Sequence, residues 1–305
     1  MSYAKIITFS SRGMGRSQEE ILISLERKLE EFRGIKADLL CFPEEVLLSA
    51  GDGNNPNWER NNLAALELMQ RYAAELRTNI VTNLEEPSEE YPGKSYNTSF
   101  VINREGEIIG KYRKKWITFR AIGGHGLPGG RVVTADTDIG RIGLMTCFDI
   151  GWRGDWQTLS DMGAELVVWP SAYHGGNLLN AYAAVHMYYV VSSVWNAECR
   201  IIDPFGNDIA ESTIWDPCAI GEVYLGSEIF HFDHHTTLIP QLRREYGERI
   251  HLRIDGRGNM FELASRDPEL KVSDIKAKFG MSNYREYHAV STADNIEYLG
   301  RYPEK

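Results

Sequence analysis

Residues 140–154 read GRIGLMTCFDIGWRG, an apolar run that ends on Cys147 and passes through Phe-Asp-Ile-Gly-Trp-Arg-Gly toward a helical stretch. A strand that turns sharply into a helix is an elbow, and an elbow presents the side chain at its bend. The backbone N–H groups just beyond Cys147, that of Phe148 in particular, are placed to meet a developing oxyanion, and a following helix N-terminus favours a thiolate. The same pattern also describes a cysteine buried as an inert hydrophobe, so the rest of the chain has to decide between them.

Moving upstream, Ile142–Cys147 pairs in a hairpin with Arg131–Thr137 across a turn at Asp138–Arg141, and YNTSFVINREGEIIGKYRK carries a second hairpin around Arg-Glu-Gly. Before these, AKIITFSS reads as a buried strand, residues 17–32 place Ile21, Leu25, Leu29 and Phe32 on one helical face, and a further strand, helix and strand follow. Downstream come a helix (Trp152–Gly163), a strand (Glu165–Trp169), a helix (Leu178–Tyr188), two strands and an Asp-Pro-Phe-Gly turn at 203–206. Alternation of this kind predicts a layered α/β fold. We expect the core to occupy residues 1–229. Residues 230–305, polar and without clear periodicity, are expected to form an extension lying on the core or on a partner subunit, all within one domain.

A formal net charge of −10 argues against nucleic acid as a partner, because phosphate backbones are met by basic stripes. No apolar run is long enough to span a membrane, and MSYAKIITFSS lacks the layout of a signal peptide, so a cytoplasmic protein is expected. The four cysteines are far apart and form no CxxC pair, which leaves a thiol free for chemistry.

Two further residues stand at strand ends. Glu44 closes LLCFPEE, where Pro43 directs the chain out of the sheet and a carboxylate beside a thiol would accept its proton; its neighbour Glu45 reads as a solvated loop acid. Lys114 ends KYRK, where an ammonium stabilises a thiolate or an oxyanion, although basic runs are commonly solvated faces. Tyr173, His174 and Asn177, in SAYHGGN after a buried strand, sit where α/β folds often bind ligands. Trp152 and Trp195 are candidates for apolar walls.

Taken together, FPE (42–44), YRK (112–114) and C-x-D (147–149) resemble the signature of the nitrilase superfamily, the carbon–nitrogen hydrolases. LPGG (127–130), GAELVVWPSAYHGGN (163–177) and IIDPFGNDIAE (201–211) extend the similarity. The resemblance implies a four-layer α-β-β-α sandwich with no metal and no cofactor. It implies Glu44 as general base, Cys147 as nucleophile, and Lys114 with the Phe148 N–H around the oxyanion. The substrate it implies is a small amide or N-carbamoyl (ureido) compound, with nitrile hydrolysis as the alternative and a homodimer or larger assembly as the quaternary state. Many members carry a second glutamate between the lysine and the cysteine. This sequence has only Asp136 and Asp138 there, and His125 is the ionisable residue nearest that position. Arginines that grip a substrate carboxylate after the cysteine are replaced by Ile150 and Gly151, leaving Arg153 as the nearest substitute.

Two readings from other classes compete. HFDHH concentrates His231, Asp233, His234 and His235 as potential metal ligands, but adjacent ligands on one tract rarely converge on a single ion. A non-catalytic binding or assembly protein is the other, and it gives no reason to keep a base, an ammonium and a thiol at three strand ends.

Overall fold

The computed structural model describes residues 3–51, 55–233 and 235–302. Residues 4–223 form one compact unit, and residues from Tyr224 onward, with Tyr3, form another.

The larger unit opens with β1 (Ala4–Phe9) and α1 (Gln18–Glu31), then β2 (Leu39–Cys41), α2 (Trp58–Leu76), β3 (Asn79–Pro87), β4 (Ser95–Ile102) and β5 (Ile108–Arg113). A short α3 (Phe119–Gly123) and β6 (Gly126–Leu127) precede β7 (Val133–Thr137), β8 (Gly140–Leu144), α4 (Arg153–Asp161) and β9 (Leu166–Ser171). The unit ends with α5 (Asn177–His186), β10 (Tyr189–Val194), β11 (Arg200–Ile202), β12 (Asp208–Glu211) and β13 (Cys218–Val223). One sheet runs β13-β1-β2-β3-β4-β5, with β6 beside β4, and a second runs β12-β11-β10-β9-β8-β7.

Each sheet buries one face under its own helices. Ile21, Leu25 and Leu29 of α1 and Ala65, Met69 and Tyr72 of α2 pack with Ile7, Leu40 and Ile80, while Trp156 and Leu159 of α4 and Leu179 and Ala183 of α5 pack with Val167, Trp169 and Val190. The opposite faces meet, β1 against β10 and β5 against β7, and Thr8 Oγ1 donates across to the Ser192 carbonyl at 2.7 Å. This is the α-β-β-α sandwich. Strands buried on both sides read as continuous apolar runs, as Leu39–Cys41 does.

Ser17 caps α1, its side chain accepting from the Glu20 N–H. The β7–β8 hairpin is tighter than its sequence suggests: Thr137 pairs directly with Gly140, and β8 ends at Leu144, so Cys147 lies beyond the strand rather than on it.

The segment from Tyr224, expected as a polar extension without clear periodicity, has regular elements of its own. β14 (Glu228–His231), β15 (Ile250–Asp255) and β16 (Met260–Ser265) form a sheet in the order β14-β16-β15, with α6 (Leu238–Tyr246), α7 (Val272–Phe279) and α8 (Tyr284–Arg301). Phe230, Leu242, Ile250, Phe261, Leu263, Val272 and Ile275 make a core of their own. These apolar residues are spread over five short elements, with at most two in any one, so no window of the sequence holds enough of them to show a period.

Candidate active site

Three chain segments deliver the three residues singled out above. Glu44 follows β2 by way of Phe42-Pro43 and is 4% exposed, and Lys114 follows β5 and is 5% exposed. The Lys114 N–H donates to the Asn97 carbonyl and its own carbonyl accepts from the Gly129 N–H, both at 2.8 Å. That close approach explains LPGG, because a Cβ on Gly129 would lie 2.0 Å from the Arg113 carbonyl oxygen. Cys147 opens a 3₁₀ turn, Cys147–Gly151, with φ of 47°. A non-glycine residue in this left-handed region is held there by its surroundings. The Thr146 N–H donates to Asp149 Oδ2 at 3.0 Å, and the Trp169 indole N–H donates to the Cys147 carbonyl at 3.1 Å.

The side chains converge. Lys114 Nζ donates to Glu44 Oε1 at 2.6 Å, Asn97 Nδ2 donates to the same oxygen at 2.9 Å, and the Ala172 N–H donates to Oε2 at 3.0 Å. The Glu44 carboxylate is also within hydrogen-bonding reach of the Cys147 thiol. Burial pushes that thiol up to about 12, with the Glu44 charge adding to the rise and Lys114 opposing it. For Lys114, burial disfavours the charge, but Glu44 and then Cys147 more than offset it and raise its pKa. Burial and the Glu44 charge thus favour the protonated thiol, which lies beside the Lys114–Glu44 pair. The Phe148 N–H lies in the first turn after the thiol, where it has no acceptor within the helix.

Glu44, Asn97, Lys114, Cys147 and Ala172 share a cavity of roughly 350 Å³ with Glu45, Glu85, His125 and Trp195. Trp195 donates its indole N–H to the Glu44 carbonyl. His125 does reach the cavity, and its Nε2 shares a 2.8 Å hydrogen bond with Glu85 Oε1. Glu45 departs from its reading as a solvated acid. It is partly buried, has φ of 36°, and lines the cavity beside Glu44. Tyr173 stands near the thiol, pushed up to about 12 by burial and by Cys147, with its ring edge on Trp169. Phe148, Tyr173, Arg153, His174 and Asn177 are not part of the cavity lining. Arg153 opens α4 from an exposed position, and Asn177 is the exposed first residue of α5. His174 is occupied locally, its Nδ1 accepting from the Gly176 N–H at 3.2 Å. Trp152 stacks on Trp116 with ring centres 4.5 Å apart.

Glu85, Asn83 and Asn97 went unnoticed in the sequence. Asn83 Nδ2 donates to Asn97 Oδ1 and to Ser99 Oγ, both at 2.9 Å, and Asn83 Oδ1 accepts from the Glu45 N–H at 2.6 Å. Ser99 Oγ in turn lies 3.2 Å from Oγ1 of Thr146, the residue before Cys147. One buried polar chain thus ties Glu44, Glu45 and the Cys147 elbow together. Its signal was the parity of β3 and β4: Asn83 and Glu85 point to one face, and they pair with Ser99 and Asn97 across the ladder. Polar residues recurring on the inward face of a strand need partners inside.

In the C-terminal unit, His235 donates through Nδ1 to the His231 carbonyl at 2.8 Å and Asp233 accepts from the Tyr287 hydroxyl at 2.9 Å. His234 lies outside the described residues. Among the described residues, no group of three or more His, Cys, Asp or Glu side chains is placed to hold a metal ion. No described helix is long and apolar enough to cross a membrane.

The profile of the carbon–nitrogen hydrolase family matches residues 11–227. The deaminated glutathione amidase of Dictyostelium discoideum is 25% identical over 210 residues, which cover 56% of this chain and 70% of that protein. The human protein of the same name is 26% identical over 196 residues, covering 55% of this chain and 56% of its own length. Among solved structures, Saccharomyces cerevisiae Nit3, a member of branch 10 of the nitrilase superfamily, superimposes with a TM-score of 0.65 at 18% identity, covering 81% of this chain and 95% of that one. An amidase from Nesterenkonia sp. gives 0.64 at 17% identity over 73% of this chain and 91% of that one. At such identities the structures share the fold.

Proposed function

This chain belongs to the carbon–nitrogen hydrolase family, and on that premise we propose that it hydrolyses a small amide or N-carbamoyl compound through a thioester on Cys147. The observation that carries this reading is the convergence of the Lys114 ammonium, the Glu44 carboxylate and the Cys147 thiol on one cavity. Glu44 takes the thiol proton as sulfur bonds to the carbonyl carbon, and the carbonyl electrons move to oxygen. Lys114 and the Phe148 N–H meet that oxyanion. Collapse of the adduct breaks the C–N bond, and Glu44 returns the proton to the departing ammonia or amine. Water then attacks the thioester, Glu44 accepts its proton, and the C–S bond breaks to free the acid and restore the thiol.

Amide hydrolysis is preferred over nitrile hydrolysis because similar proteins carry the names deaminated glutathione amidase and amidase. Four free, buried cysteines accord with a reducing, cytoplasmic setting, and a homodimer or larger assembly completes the reading. The test is ammonia release from a panel of small amides, N-carbamoyl compounds and nitriles, with intact mass of the acid-quenched enzyme read in parallel. Turnover with an acyl adduct, both absent from Cys147→Ala, is the expected result. Turnover that survives in Cys147→Ala would sink the mechanism, and turnover of nitriles alone would replace the amide with the nitrile as substrate.

A further inference from the structure

Three carboxylates face the cavity, and their partners are unequal. Glu44 has Lys114, Asn97 and the Ala172 N–H. Glu85, 6% exposed, accepts from Ser95 Oγ at 2.7 Å and meets His125 at 2.8 Å, both on Oε1, which leaves Oε2 without a donor among the described residues. No described donor reaches the Glu45 carboxylate at all. Lys114 and His125 are the basic side chains among the described residues of the lining, which include no arginine. Burial pushes Glu45 up to about 8, with Glu44 and Glu85 adding to the rise and Lys114 only partly opposing it. The cavity therefore carries more acid than it neutralises, in a place where water screens poorly.

We propose that Glu45 and Glu85 are the specificity-determining residues of this pocket and hold a positively charged group, an ammonium or a guanidinium, on the substrate. Both are fixed rather than floppy. The Glu45 backbone is pinned in its left-handed conformation by the Asn83 side chain, and Glu85 sits opposite Asn97 in the β3–β4 ladder, next to the residue that holds Glu44. A cation bound there supplies the charge that the protein leaves out, and the reacting carbonyl is presented to Cys147 in the same cavity. A substrate carboxylate meets repulsion instead, and Arg153, which would have gripped one, is exposed at the start of α4. This inference rests on the hydrolase reading given above and adds the class of substrate to it.

The test compares three amides of equal chain length, an ω-amino alkanamide, the plain alkanamide and its ω-carboxy counterpart, by kcat/KM for ammonia release. The ω-amino amide should be favoured roughly tenfold or more over the neutral one, and the carboxy compound should be the poorest, as expected when one charge-assisted contact is made or opposed. Glu85→Gln should reduce the amino-to-neutral preference about tenfold, chiefly through KM, whereas Glu85→Asp, which keeps the charge, should largely retain it. Preference for the neutral or carboxy amide, or a preference unchanged in folded Glu85→Gln, overturns the proposal. A second measurement needs neither turnover nor a variant: protection of Cys147 from iodoacetamide in the wild-type protein by a simple alkylammonium, against the matching alkyl carboxylate. Protection by the cation alone supports the proposal, and equal or opposite protection overturns it. Absence of turnover with all three amides bears on the hydrolase reading, and the protection assay still decides the charge preference.

Discussion

The Tyr112 hydroxyl donates a 2.6 Å hydrogen bond to Asp149 Oδ2, and this buried contact joins the strand that presents Lys114 to the turn that presents Cys147. Asp149 also accepts from the Thr146 N–H on Oδ2 and from the Trp116 N–H on Oδ1 at 2.9 Å. Burial pushes its pKa up to about 6, against the lowering effect of Tyr112. The aspartate of C-x-D is thus a clamp between two arms of the site. Asparagine cannot accept at both ends, so Asp149→Asn leaves buried donors facing an amide N–H and should cost about 2–4 kcal/mol of stability. Tyr112→Phe removes one bond and should cost about 1–2 kcal/mol. Urea unfolding reads both, and a Tyr112→Phe protein as destabilised as Asp149→Asn would contradict the clamp.

The Glu44–Lys114 pair sets a different trap. Removing one member leaves a buried charge without its partner, so Lys114→Met should destabilise the fold by about 3–5 kcal/mol and abolish turnover. Glu44→Gln/Lys114→Met removes both charges. That double variant should recover most of the lost stability and none of the activity. Thermal unfolding and turnover, measured on the two proteins together, separate the structural role of the pair from its chemical one.

The layered α/β class was legible from the alternation of strands and helices, because sheets buried on both faces write long apolar runs such as LLCF and ELVVW, whereas the four-layer sandwich followed only from the resemblance. The strand-end positions of Glu44 and Lys114 were legible for the same reason. What escaped was chemistry assembled across the ladder: Glu85 meets His125 and Ser95 only because β3, β4 and the segment before β6 come together. Parity along β3 puts Glu85 on the face of Asn83 and Glu86 on the other, where it pairs with Lys111 and Arg113, but parity alone does not say which of the two faces is inward. Glu45 was misread because its exposure depends on a left-handed backbone turn that its sequence does not announce.

The thiol makes a prediction about pH. Cys147 is pushed up to about 12 by burial and then by the Glu44 charge, with Lys114 pulling the other way. Alkylation of the free enzyme by iodoacetamide should therefore keep rising well above pH 8. In Glu44→Gln the negative charge is gone while the ammonium stays, so the thiolate is favoured and the alkylation profile should move to lower pH. Mass spectrometry of Cys147 labelling across pH reads this directly. A profile that moved upward, or not at all, would show that Glu44 does not act on the thiol.

Glu45 makes the last prediction, and its sign follows from linkage. Its carboxyl has an ordinary value of 4.5 and is raised in the fold to about 8, first by burial and then by Glu44. The folded protein thus holds this proton more tightly than the unfolded chain does. Stability from this group is complete below the unfolded value, declines as pH rises through the interval between the two values, and levels off above the folded one. Glu45→Gln carries no such titration. Relative to wild type it should gain little near pH 4 and about 2 kcal/mol near pH 9, a figure reduced from the full shift because the side chain retains some contact with water. Melting temperatures of the two ligand-free proteins across this range check the sign, since their other titrating groups are shared. A gain confined to acid pH would mean that Glu45 is ionised and stabilised in the fold, the reverse of the crowding that the cavity imposes.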